Sequence, residues 1–334
     1  MRILVTGSAG LIGSYIADEL TRLKYEVIGI DNLSGGYIRN TRNHRFYLCD
    51  LRNKEITEAL VKIIKPTHVY HCAASAREIG SLFEPLKSME DNYLATMNLL
   101  NACIKHKSLK KWIQFGTMAV YGSQTPPFSE DMEQKPEDIY GINKTAIEQS
   151  VQCLSEIHDF NWTILRPHNV FGVRQAFDLY RNVLAIWMNR IMHGEKQLYI
   201  FGDGEQKRAF SYIDFSLPCY IKCLEDITNN QIYNIGGMQP ITINEAAKLT
   251  IEAMGAIGAV SIEHLSDRPR EVKLAYSTYD KSVNQLGYKE DKDLLTCLKE
   301  MAAWCKSIGP QEWLDEPLEL ENDKTPEIWK KKVK

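Results

Sequence analysis

Three glycines spaced three residues apart, Gly7, Gly10 and Gly13 in TGSAGLIGSYIADEL, follow directly on the apolar run Ile3-Leu4-Val5. That spacing fits a strand turning sharply into an amphipathic helix, and each glycine has its own reason to lack a side chain. Gly7 permits the turn, Gly10 lets backbone approach a pyrophosphate, and Gly13 lets helix and strand pack closely. A helix beginning there offers free N–H groups and a positive dipole end to an anion. A second strand pattern ends in Asp31, 18 residues after Gly13, close to the distance at which a carboxylate reaches the ribose of a bound dinucleotide. The stretch therefore reads as a dinucleotide cradle, with Leu11, Ile12 and Asn32 beside these residues. A carboxylate at Asp31 repels a 2′-phosphate and favours NAD over NADP, although Arg39 lies close in sequence.

The first 170 residues keep one rhythm. Apolar runs at Arg2–Thr6, Glu26–Asp31, Arg45–Cys49, His68–His71, Trp112–Gly116 and Trp162–Arg166 alternate with helix-period segments near 12–23, 53–64, 86–107 and 138–158. This alternation predicts an α/β fold with a parallel, doubly wound sheet. Beyond residue 170 short strands at Gln197–Phe201 and Gln231–Ile235 mix with helices near 176–193, 215–226, 242–254 and 291–305. The expected division is a cofactor-binding unit over 1–170 with a return near 208–228, a smaller mixed α/β substrate unit over 171–310, and a tail over 311–334 anchored by Trp313 and Trp329.

Bulk properties narrow the partners. A chain of 334 residues with net charge −3 lacks the broad basic field that nucleic-acid binding requires. No apolar run approaches the roughly 18 residues that cross a bilayer. The eight cysteines are scattered through apolar segments, and no secretory leader precedes the strand at residue 2, so they read as reduced thiols of a cytoplasmic protein. Cys219 and Cys223 sit at helical spacing and read as a buried helix face; no metal site is expected.

Chemistry enters with YGINK, where Tyr140 and Lys144 lie one helical turn apart on one face. A lysine ammonium near a phenol stabilises the phenolate, which makes Tyr140 a candidate acid/base. In FGTMAVYG, Thr117 stands just past a strand end, on the carboxyl edge where open α/β sheets bind ligands. Its hydroxyl is placed to share the substrate oxygen that Tyr140 deprotonates.

From Arg2 to about Trp304 the chain resembles the extended short-chain dehydrogenases/reductases that act on nucleotide sugars, the UDP-glucose 4-epimerase type. The resemblance rests on TGSAGLIGS, DNLSGG, CDLRN, HCAAS, GTMAVYG, YGINK, LRPHNVFG, GDGEQKRAFSYID and YNIGG, in that order. It implies a Rossmann-type cofactor domain with NAD. It also implies adenine contacts at Asp50 and Leu51, phosphate and ribose contacts at Ala73 and Ala74, and Asn92 near the nicotinamide. Thr117, Tyr140 and Lys144 match the catalytic trio. Asn169, Arg208 and Arg268 match the positions that hold the substrate diphosphate. His168 replaces a residue that is often aromatic; it and His71 are expected to be structural.

The family's dehydratases carry Asp-Glu where this chain has Met118-Ala119. That difference favours a nucleotide-sugar epimerase inverting C4′ through a 4-keto intermediate with transient NADH. A nucleotide-sugar 4-dehydrogenase, a dehydratase of the same family, and an idle NAD-binding sensor or scaffold are the alternatives. Arg174 and Arg181 raise the possibility of a charged sugar such as a uronic acid. The resemblance further implies a homodimer built on the helix around 86–107, with Leu94, Met97, Leu100 and Ile104, and on the Tyr140/Lys144 helix.

Overall fold

Among the described residues a seven-stranded, wholly parallel sheet organises the fold. Its strands are β1 (Arg2–Thr6), β2 (Glu26–Asp31), β3 (Arg45–Leu48), β4 (His68–His71), β5 (Lys111–Phe115), β6 (Asn161–Pro167) and, last in sequence, Gln231–Ile235. Their spatial order is Gln231–Ile235, β6, β5, β4, β1, β2, β3. The structure is a computed structural model that describes residues 1–314 and 317–330; of the tail read over 311–334, residues 315–316 and 331–334 lie outside it.

The strands are apolar throughout because both faces are covered. In β1, Ile3 and Val5 join one core with Ile16 and Leu20 of helix α1 (Leu11–Arg22), while Leu4 joins the opposite core with Val61 of helix α2 (Lys54–Ile64). Three further helices, α3 (Pro85–Met89), α4 (Ala95–Lys105) and α5 (Ile139–His158), follow, with a π-helical turn over Glu90–Leu94 joining α3 to α4. Leu100 of α4 packs into the core beneath the sheet, whereas Leu86, Met89, Leu94 and Ile142 are exposed.

After β6 the chain builds a second layer of packing. Trp187, Met188, Leu198 and Met301 form its core, drawn from helix Val183–Met192, strand Gln197–Phe201 and helix Leu294–Ile308. Helix Ile213–Lys222 returns to the first half: Cys219, Tyr220 and Cys223 pack with Ile3, Val5 and Ile113. The helix read over 176–193 begins only at Val183. The residues before it form a loop in which Arg174 and Asn182 have positive φ, incompatible with continuous helix.

One buried ion pair ties these layers. Arg166 of β6 donates to Glu148 of α5 at 2.7 Å and to the Tyr121 hydroxyl at 2.7 Å; Tyr121 in turn donates to Asn234 at 2.8 Å. Arg166 and Glu148 are both buried. Removing one partner strands the other charge, so Arg166→Met is expected to cost about 3–5 kcal/mol in a denaturant titration. Arg166→Met with Glu148→Leu is expected to recover most of that loss; equal losses would refute the pairing argument.

Candidate active site

The cleft opens at the carboxyl ends of the strands and encloses about 470 Å³. Its first wall is the glycine turn. Gly7 has φ +65°, and a Cβ there would stand 2.8 Å from the Ala73 nitrogen. A Cβ on Gly13 would overlap the Gly7 carbonyl, so α1 lies as close to the turn as backbone allows. Helix α1 starts at Gly10 with no side-chain cap and no acidic residue in its first turn. Its leading N–H groups, including those of Leu11 and Ile12, are thus left for an anion at the cleft wall.

Asp31, at the end of β2, lines the next stretch of the wall. Its carboxylate accepts from the Ala9 N–H at 3.0 Å and the Leu33 N–H at 2.7 Å, which fixes its orientation, while burial raises its pKa. Asn32, Leu51 and Ala74 line the same stretch. Asp50 also lines it and is paired with Arg52 at 2.6 Å. Ala73 lines it and donates to Thr6 at 3.1 Å. Asn92 is buried behind the wall: it donates to the Ser75 and Ser88 carbonyls at 3.1 and 2.8 Å and accepts from the Ser75 N–H. Arg39 stacks over Tyr37 at 4.2 Å, away from the lining residues. An uncapped helix start, glycines with no room for Cβ and an oriented carboxylate together fit a dinucleotide without a 2′-phosphate.

Thr117, Tyr140 and Lys144 meet at the centre of the cleft. Asp138 accepts from the Gly141 N–H at 2.7 Å and caps α5, so Tyr140 and Lys144 fall in its first two turns. The Tyr140 N–H donates to Ser81 Oγ at 3.0 Å, anchoring α5 to the loop after β4. Lys144 Nζ donates to the Phe115 carbonyl at 2.9 Å and lies 5.7 Å from the Tyr140 ring centroid. Burial pulls the Lys144 pKa down to about 8, partly offset by Glu148. The Tyr140 phenol is held well above its ordinary pKa, first by burial and then by Glu78, while a hydrogen bond with Thr117 acts the other way. The hydrogen bond of the ammonium thus goes to the Phe115 carbonyl, with the Tyr140 ring 5.7 Å away.

The far wall carries Asn169, Arg208 and Arg268. Asn169 adopts φ +38° and donates to the Ala209 carbonyl at 2.9 Å. Arg208 and Arg268 both grip Glu271, at 2.9 and 2.6 Å. Arg174 faces elsewhere: it pairs with Asp18 at 2.8 Å and stacks on Tyr15. Arg181 does line the cleft, between Asp178 and Gly35. His168 is fully buried, bonded to Ser277 at 2.8 Å, and kept neutral by burial that pulls its pKa to about 3. His71 is likewise packed, between Thr6 and Thr96.

Several contributors escaped the sequence reading. Glu271 had no signal, since its importance lies in bridging two arginines from separate segments. Asp138 carried one, an N-cap carboxylate directly ahead of a helical pattern. Trp329 of the tail lines the cleft as well, edge-on to Tyr180 at 5.2 Å and to Phe83 at 6.1 Å. Among the described residues no cluster of His, Cys, Asp or Glu could hold a metal, and no helix is long and apolar enough to cross a membrane.

Comparison with known proteins accords with this geometry. Residues 3–236 match the model of the NAD dependent epimerase/dehydratase family. A putative UDP-glucose 4-epimerase of Methanocaldococcus jannaschii is 30% identical over 308 residues, 91% of this chain and 98% of that protein. The crystal structure of UDP-glucose 4-epimerase from Thermotoga maritima with UDP-glucose is similar at TM-score 0.86 and 31% identity, covering 92% of this chain and 99% of that one. UDP-glucuronic acid 4-epimerase from Bacillus cereus, in complex with UDP-glucuronic acid and NAD, is similar at TM-score 0.82 and 28% identity, covering 92% and 100%. With a glycine cradle, an oriented Asp31 and a Thr-Tyr-Lys centre in one cleft, the chain belongs to the NAD dependent epimerase/dehydratase family, as an enzyme whose cofactor is NAD.

Proposed function

We propose that the protein inverts C4′ of a nucleotide-diphosphate sugar through a 4-keto sugar. The observation that supports this reading is that Tyr140, Thr117 and Lys144 line one cleft with the glycine turn, Asp31 and the paired arginines Arg208 and Arg268. Relatives named for epimerisation of UDP-glucose and UDP-glucuronate support it. NAD bound in the cradle supplies a ring that accepts and returns hydride. Tyr140 takes the proton of the sugar hydroxyl and later gives it back, with Thr117 hydrogen-bonded to the same oxygen. Lys144 holds a positive charge nearby, and the enclosed cleft strengthens its pull on the developing phenolate. Arg208 and Arg268 exchange Glu271 for the diphosphate, a match for the guanidinium fork. Asn169 lines the same cleft and is assigned to the diphosphate as well. Met118 and Ala119 offer no acid for water loss.

The test is to present a panel of nucleotide sugars and follow NADH absorbance together with product identity by NMR. A stereoisomer without accumulated NADH is the expected result; a stoichiometric keto sugar would replace epimerase with dehydrogenase. Tyr140→Phe is expected to lower kcat by about 10²–10⁴-fold with NAD still bound. Lys144 titrates near 8, so kcat/KM is expected to fall as pH rises past that value and the ammonium is lost. In Lys144→Met the rate is low and this limb disappears.

The same reading includes a homodimer. Leu86, Met89, Leu94 and Ile142 are exposed apolar residues on α3, the π turn and α5. Sedimentation is expected to give a dimer for the native chain and a monomer for Leu94→Glu with Ile142→Glu; a monomeric native chain would overturn it.

A further inference from the structure

The loop after β4 places one carboxylate in the cleft that none of the chemistry above uses. Glu78 lines the cavity, and water reaches it through the opening, while protein crowds its remaining sides. Its position is fixed by a short relay. The Ser81 hydroxyl donates to the Glu78 carbonyl at 2.5 Å and accepts from the Tyr140 N–H at 3.0 Å, so the loop is stitched to the turn that carries the acid/base. Neighbouring backbone stiffens it further: Ser81 N–H donates to the Arg77 carbonyl at 2.7 Å, and Arg77 is held at both ends by Glu84 and Asp178. The carboxylate itself makes no hydrogen bond or ion pair with the described residues.

We infer that Glu78 is a specificity residue of the sugar subsite, accepting hydrogen bonds from a hydroxyl or ammonium on the sugar and rejecting sugars that carry a carboxylate. The inference rests on the nucleotide-sugar reading above and deepens it. Glu78 is close enough to Tyr140 to raise its pKa, the largest effect after burial. Glu78 and Tyr140 line the same cleft and are joined through Ser81, so the carboxylate borders the space in which the sugar ring must sit for Tyr140 to reach a ring hydroxyl. The cleft wall at 118–119 has no carboxylate, so the carboxylates that act on Tyr140 are Glu78 on this loop and Asp138 at the start of α5, opposed by Arg181. A uronate entering there would meet like charge, which disfavours its binding relative to a neutral sugar. A hydroxyl or ammonium instead finds an acceptor there.

The charges facing Glu78 are Asp138 on α5, Arg208 and Arg268 on the far wall, and Glu271 between those arginines. Burial and Asp138 push its pKa to about 7, against the pull of the two arginines. Below that pH the group is neutral and tolerates a uronate; above it the charge excludes one. Rejection is thus expected to sharpen as pH rises through about 7.

The experiment is calorimetric binding of UDP-glucose and UDP-glucuronate to the NAD-loaded protein below and above that pH, alongside turnover of each. Above it, UDP-glucuronate is expected to bind at least about 10-fold more weakly than UDP-glucose. In Glu78→Gln and Glu78→Val the gap is expected to close to within about 3-fold and to lose its pH dependence. An unchanged gap in both variants, a native preference for UDP-glucuronate, or absence of binding by either sugar would overturn the inference. Discriminating binding without conversion would instead refute the epimerase reading and leave Glu78 in place.

Discussion

Glu148 is a fully buried carboxylate that faces two cations, and much of the molecule is arranged around that fact. To Arg166 it gives the ion pair that joins α5 to the sheet. To Lys144, one turn earlier on the same helix, it gives the electrostatic support that partly offsets burial of the ammonium. A lysine so enclosed would otherwise shed its proton more readily. Structural closure and the charge beside Tyr140 therefore draw on one side chain. That carboxylate stands so near the backbone at Gly116 that a Cβ there would collide with it, and the strand end beside Thr117 is free of side chain for this reason.

The far wall follows a different logic. Glu271 holds both Arg208 and Arg268 in ion pairs. In the proposed function a diphosphate would trade one charged partner for another, so that the desolvation penalty of two arginines is not met anew with each substrate. The arginines are also pre-positioned, because Arg208 is bonded to the Lys207 and Val272 carbonyls and Arg268 lies 4.8 Å over the Phe201 ring.

The cofactor half was legible in the sequence because its signals are local. Strand β1, the glycine turn and Asp31 lie within one strand-helix-strand unit, and the boundaries of β1, β2 and β4 fall where alternation of apolar runs placed them. That Tyr140 and Lys144 share one helix and one cleft was legible for the same reason, being one helical turn apart. What escaped detection depends on contacts between distant segments. Glu271 bridges two arginines, Trp329 packs on rings at 83 and 180, and the backbone of Glu78 is tied to another helix through a serine three residues on. Arg174 illustrates the converse. Its charge and position hinted at a ligand, yet its φ of +75° turns it toward Asp18 instead.

The last strand of the central sheet, Gln231–Ile235, pairs with β6 only after the whole stretch from 168 to 230 has been laid down. During synthesis β6 is therefore a bare edge, apolar from Ile164 to Leu165 and open to pairing with any extended chain nearby. A nascent chain halted between these two points would expose the edge of β6 in addition to the edge at β3, and Gln231–Ile235, on arrival, covers β6 and becomes the outer strand itself.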